Sequence, residues 1–146
     1  MSNKISNKIR SKLKTQSTVS YGCDADLLNC IIETLRKIYD KDKDFVEDIL
    51  ENVVFIYCSE YAISKEWKYK GSLCSIIFNI EKILKKYLKK NNKLSSKVND
   101  IVAHECAHYL LGHYKVRSTR ETEKQADDLI EGWGFQRLYP ELVETK

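Results

Sequence analysis

Two histidines and a glutamate inside an apolar stretch form the part of this sequence best suited to metal chemistry. The pentapeptide His104-Glu105-Cys106-Ala107-His108 contains two of the three histidines in the chain. On a helix, positions i and i+4 lie on one face, so both imidazole rings can point at the same ion. The pattern therefore predicts a zinc site built on His104 and His108, with Glu105 beside the metal as the general base.

A second helix is predicted shortly downstream of this pentapeptide. Ser118 or Thr119 can cap its start, acidic residues fill its first turns, and Gly132 can end it. A zinc hydrolase site needs a third protein ligand and keeps its fourth position open for water. We expect the second helix to supply that third ligand.

Glu123 is the predicted third ligand. It shares a helical face with residues that should face the core, whereas Glu121 lies on the face expected to be solvated. Asp127 follows Glu123 by one helical turn, where it can accept the second N–H of a ligating imidazole and fix its tautomer. The residues expected on the buried face are Glu123, Ala126, Asp127 and Ile130.

Together the two segments resemble the paired motifs of small gluzincin-type zinc metallopeptidases, the minigluzincins and the larger membrane proteases that share their core. Residues 104–108 match H-E-x-x-H and residues 123–127 match E-x-x-A-D, within roughly a quarter of the chain. The resemblance implies that His104, His108 and Glu123 bind zinc, that Glu105 is the base and that Asp127 supports a ligand. The first motif with a nearby acidic ligand also occurs in ImmA/IrrE-like regulatory peptidases, and the motifs do not separate these groups.

Several other side chains near the motif could take part in the chemistry. Continuing the helix would turn His113 about 140° away from His108, so His113 could be a ligand only if the helix broke at Gly112. We expect His113 instead to cap the helix end or to line the cleft. The group that stabilises the oxyanion besides zinc stays open among His113, Tyr109, Tyr114 and Tyr139.

Length and composition predict a small cytoplasmic protein with a single folded domain. A chain of 146 residues can bury an adequate core without disulfide bonds. No apolar stretch reaches the ~18 residues needed to cross a membrane. The five cysteines form no C-x-x-C pair and are expected to be reduced; they are Cys23, Cys30, Cys58, Cys74 and Cys106.

The first twenty residues form a basic segment. They carry five basic residues and no acid, while the formal net charge of the whole chain is +4, so residues 21–146 are close to neutral. We expect residues 1–20 to be a mobile arm and residues 21–146 to form the metallopeptidase domain. Apolar residues at positions 5, 9 and 13 allow a transient helix, and contact with nucleic acid through the arm is a less favoured alternative.

The remaining sequence predicts an α+β, zincin-like domain in which helices pack on a small, mainly antiparallel sheet. Residues 67–70 and 73–80 are expected to form a hairpin, and Trp133 and Phe135 are expected to pack in the core. Helices are predicted over residues 24–39, 45–51, 82–90, from 95 or 96 to 111, and 118–131, and strands over 53–58, 67–70 and 73–80.

The function expected from these patterns is zinc-dependent hydrolysis of peptide bonds in a protein or peptide substrate. We expect an endopeptidase in preference to an exopeptidase. The strand at residues 73–80 could pair with an extended substrate if it borders the cleft. Two alternatives stay open: a regulatory protease that cleaves one partner, such as a transcriptional repressor, or a zinc-stabilised binding protein without turnover.

Overall fold

A computed structural model describes residues 2–16, 25–58, 74–79, 96–113 and 119–143. No helix within these ranges is long and apolar enough to cross a membrane. In chain order, the elements of the described ranges are α1 (Ser2–Gln16), α2 (Ala25–Tyr39), α3 (Lys43–Asn52), β1 (Val53–Cys58), β2 (Cys74–Asn79), α4 (Lys97–Leu110), α5 (Arg120–Gly132) and a 3₁₀ helix at Pro140–Leu142.

The predicted α+β fold class is wrong, because helices packed on helices form the core of the described residues. Among the residues whose burial is described, which exclude 54–58 and 74–79, the buried apolar side chains outside the helices are Val53, Trp133 and Phe135. The two described strands are short and pair in parallel, with Val53 opposite Cys74, so they do not form the expected antiparallel sheet. The predicted hairpin partner, residues 67–70, lies outside the described residues.

The helices predicted to carry the site lie close to their expected positions. α4 begins at Lys97 and ends at Leu110, and α5 runs from Arg120 to Gly132. α2 also matches its predicted range and buries Ile31, Leu35 and Ile38 completely. These three residues recur at helical spacing, so one face of α2 packs on its neighbours, which include α1, α3 and α4. The predicted helix at residues 82–90 lies outside the described residues.

The amino-terminal segment differs from the expected mobile arm. Residues 2–16 form α1, and its Ile9 and Leu13 are only 1% and 2% exposed within the core. The helical spacing of the apolar residues therefore outweighs the basic charge, because Lys4, Lys8 and Lys12 stay exposed to solvent. Lys12 pairs with Glu51 of α3 at 3.0 Å, so part of the positive charge lies beside acidic residues.

The turn after α5 is fastened to the rest of the core by aromatic and lysine contacts. Trp133 stacks on Phe45 of α3 with ring centroids 5.2 Å apart, and both Trp133 and Phe135 are buried, as the sequence predicted. Between them, Gly134 has φ +93°, a conformation that favours glycine. Lys37 donates to the Gly134 carbonyl at 2.9 Å and lies 4.4 Å from the centre of the Phe135 ring. The chain that follows α5 is thus held in place from α2 and α3.

We predict that α1 is required for full stability. Replacing Ile9 or Leu13 with alanine should lower the free energy of unfolding by about 2–5 kcal/mol, because each change leaves a cavity in the core. Lys8→Ala is the control, since Lys8 and Glu47 form an exposed pair at 3.9 Å and such pairs contribute about 0–1 kcal/mol. Urea unfolding measures the difference. Equal midpoints for all three variants and the wild type would show that α1 does not belong to the core.

Candidate metal centre

α4 presents both motif histidines toward the interior of the protein. His104 is 2% exposed, and the His108 side chain, one turn later, is 17% exposed. One turn before His104, the buried Asp100 accepts a hydrogen bond from the backbone N–H of Gln136 at 3.1 Å. This bond ties the first half of α4 to the chain that follows α5.

The start of α5 is set by a reciprocal pair of threonine hydrogen bonds. The Thr119 hydroxyl accepts from the N–H of Thr122 at 3.2 Å, and the Thr122 hydroxyl accepts from the N–H of Thr119 at 2.8 Å. This capping arrangement satisfies two backbone N–H groups at the helix start. It places Glu123 in the first turn, with Ala126, Asp127 and Ile130 on the buried face that the sequence predicted.

Three side-chain atoms from α4 and α5 converge on one point. Nε2 of His104 lies 2.7 Å from Oε2 of Glu123 and 3.0 Å from Nε2 of His108, which is itself 3.4 Å from Oε2 of Glu123. A tetrahedral zinc ion spaces its ligand atoms about 3.3 Å apart, close to these separations. The cluster of His104, His108 and Glu123 could hold a metal ion.

Asp127 fixes the orientation of the first histidine. Its Oδ1 lies 2.9 Å from Nδ1 of His104 and also accepts the backbone N–H of Leu138 at 3.0 Å, while its Oδ2 accepts the N–H of Tyr139 at 2.8 Å. A carboxylate can only accept, so Nδ1 of His104 donates to Asp127, and in the neutral imidazole this leaves the lone pair on Nε2, on the side of Glu123 and His108. Lone pairs that face each other this closely repel, and a shared cation relieves the repulsion.

Burial and neighbouring charges shift the pKa of Glu105 and the pKa of His108 in opposite directions. Burial raises the pKa of Glu105, and the charge of Glu123 raises it further, against an opposing effect of His104. Burial lowers the pKa of His108, as does the neighbouring His104 ring, while Glu123 opposes this. Both shifts favour the neutral forms, and a neutral imidazole is the form that binds a metal.

Two side chains predicted near the cleft have other contacts. The Tyr109 hydroxyl donates to Asp48 of α3 at 3.1 Å, and its ring stacks on Phe45, so the structure does not place it among the converging atoms. α4 does end before Gly112, yet the His113 ring reaches Nδ1 of His108, at 2.8 Å, and not the three converging atoms. Tyr114 lies outside the described residues.

Asp100 and Gln125 were not predicted from the sequence to support the site, and Tyr139 was only one of several candidates for the oxyanion donor. Asp100 received no role, although it precedes His104 by four positions and so lies on the same face. Gln125 also received no role, although its Oε1 lies 2.8 Å from Nε2 of His113. Tyr139 packs edge-on against the His104 ring, with centroids 5.8 Å apart. Only a tertiary structure could single out Tyr139 among the tyrosines.

Comparison of the chain with protein-family models, with curated proteins and with solved structures gave no significant match.

We predict that Asp127→Asn weakens metal binding about 10- to 100-fold, because the amide is a poorer acceptor for Nδ1–H of His104. Asp128→Asn is a matched control one position away, since Asp128 is exposed and pairs with Lys124 and Arg137. Competition with a chromophoric chelator measures the affinity of each variant. Equal affinities in the two variants would contradict the role assigned to Asp127.

Proposed function

We propose that this chain is a zinc-dependent peptidase whose metal ligands are His104, His108 and Glu123 and whose general base is Glu105. The convergence of three lone-pair donors beside a partly buried glutamate is the observation that supports it most. Two imidazoles and one carboxylate suit zinc, and three protein ligands are the number found in catalytic zinc sites. Zinc, when bound, polarises a carbonyl group and makes water a better nucleophile at neutral pH.

Glu105 is suited to accept and return a proton. It follows His104 directly in the sequence. Its carboxylate is not among the three ligand atoms that converge. The raised pKa of Glu105, caused first by burial, makes its carboxylate a stronger base than that of an exposed glutamate. A base with such a pKa can take a proton from the attacking water and pass it to the leaving amine.

Tyr139 is our candidate for stabilising the oxyanion. Its backbone N–H is held by Asp127, and its ring packs edge-on against His104. Burial raises the pKa of Tyr139, and the charges of Glu123 and Glu105 raise it further, so the phenol keeps its proton at neutral pH and can donate it. A phenol beside the metal site that reaches the substrate carbonyl oxygen would stabilise the negative charge that develops there.

The motif resemblance supports a peptide bond as the substrate. We propose that the chain acts as an endopeptidase. β2 is the second strand of the two-stranded pair. Its far edge, if open to the cleft, can take an extended peptide as an additional strand, which would select backbone shape more than side-chain identity.

Incubation with a panel of unrelated peptides tests whether the chain has general, zinc-dependent peptidase activity. Cleavage should stop with a chelator and return with added zinc. Zinc binding without cleavage of any peptide in the panel would favour a dedicated substrate or a binding protein over a general peptidase. A wild-type chain without zinc affinity would overturn the proposal altogether.

We predict that Glu105→Gln and Glu123→Gln separate catalysis from metal binding. Glu105→Gln should keep zinc but lower kcat by about 10²- to 10⁴-fold, because it removes the proton acceptor. Glu123→Gln should lose zinc, because it replaces a charged ligand with a neutral one. Glu131→Gln is the control, since its side chain is 63% exposed. Elemental analysis and peptide hydrolysis measure both properties, and similar zinc loss in the first two variants would reject this division of roles.

We predict that Tyr139→Phe lowers kcat by about 10²-fold without changing zinc affinity, because it removes only a transition-state hydrogen bond. Tyr109→Phe is the matched control: it deletes the hydroxyl that bonds to Asp48 and should affect stability more than turnover. Steady-state kinetics and zinc competition on both variants provide the comparison. Unchanged kcat in Tyr139→Phe would exclude the phenol as the oxyanion donor.

A further inference from the structure

The second ligand histidine also has an ordered partner on its outer side. Nδ1 of His108 lies 2.8 Å from Nδ1 of His113, and Nε2 of His113 lies 2.8 Å from Oε1 of Gln125. The amide nitrogen of Gln125 in turn donates to Oε1 of Glu121 at 3.4 Å. Four side chains are thus joined in one line from the metal site to the surface of α5.

The Glu121 carboxylate, at the surface end of this line, determines which group donates and which accepts in each hydrogen bond. The Glu121 carboxylate can only accept, so the Gln125 amide group turns its NH₂ toward Glu121 and its oxygen toward His113. His113 must then donate through Nε2, which leaves the lone pair on its Nδ1. That lone pair is matched by a proton on Nδ1 of His108, so the lone pair of a neutral His108 ring lies on Nε2, which faces His104 and Glu123.

We propose that His113 is a positioning residue for metal binding, which holds His108 with its proton on Nδ1 and its Nε2 lone pair directed at the metal site. The two ligand histidines are therefore supported differently: His104 by the carboxylate of Asp127, and His108 by an imidazole with an amide behind it. The inference rests on the proposed zinc site, and it does not depend on peptide hydrolysis.

The backbone at Gly112 brings His113 into this position. A continued helix would turn His113 about 140° away from His108. Instead α4 ends at Leu110 and Gly112 adopts φ +75°. A Cβ atom added at Gly112 would meet no atom of the described residues within 4 Å, so among these residues it is the backbone conformation that disfavours alanine there.

Side-chain variants of the whole chain test the proposal through zinc affinity. His113→Ala should weaken zinc binding by about tenfold, the lower end of the effect of losing a ligand's hydrogen-bond partner. His113→Asn should restore it, because the asparagine Oδ1 can stand near the position of Nδ1 and accept the same hydrogen bond. Gln125→Leu should weaken binding in the same direction, whereas Gln136→Leu, an exposed residue bonded through its backbone N–H, should not.

Cobalt substitution supplies a readout that a purely structural role would not change. The visible absorption bands of the cobalt protein should shift in His113→Ala and return in His113→Asn. Gly112→Ala should weaken zinc binding like His113→Ala, while Gly112→Asn should be milder because asparagine tolerates positive φ. Gly132→Ala is the matched control, since a Cβ there also meets no atom within 4 Å and no positive φ is required.

The outcomes distinguish this inference from the proposals on which it builds. Wild-type zinc affinity in His113→Ala, or equal weakening in His113→Ala and His113→Asn, would overturn it. If His113→Ala does not fold, Gln125→Leu decides, because its side chain is exposed, and unchanged affinity in that variant would overturn the inference as well. A wild type that binds no zinc removes the metal site and the inference together. A wild type that binds zinc but cleaves no peptide contradicts only the peptidase proposal.

Discussion

The buried carboxylate of Asp127 is the constraint on which the candidate site depends. It is fully buried, and a buried charge is tolerated only when its oxygens are matched by donors. Those donors come from His104 on α4 and from the backbone N–H groups of Leu138 and Tyr139. Satisfying one charge therefore sets the histidine tautomer, the distance between α4 and α5 and the path of the following chain.

The helical frame makes this arrangement rigid from several sides. Lys37 and Phe45 hold the turn after α5 through Gly134 and Trp133, and Asp100 holds the same segment from α4. Each contact joins elements distant in sequence, so the geometry of the cluster depends on the whole helical core. Preorganised ligands need less reorganisation on binding, and this is how a small domain can hold a metal tightly.

The parts of the site that follow from helical periodicity could be predicted from the sequence, and the parts set by tertiary partners could not. The spacing of His104 with His108, and of Glu123 with Asp127, is a local property of a helix. The predicted fold class was wrong because strand pairing and helix packing depend on partners far along the chain, and the two described strands pair in parallel. The burial of α1 was missed because five basic residues were weighed above the periodic spacing of Ile9 and Leu13. The contact of His113 depends on a single backbone angle at Gly112.

The graded exposure of the three ligands has a consequence for how fast a metal would exchange. His104 is 2% exposed, whereas the side chains of His108 and Glu123 are 17% and 22% exposed. Water or a competing chelator would therefore reach a bound ion more readily past His108 and Glu123 than past His104. Release of such an ion would begin at the two more exposed ligands and end at His104. Its lifetime would then depend on how often His108 and Glu123 move away, and not on affinity alone.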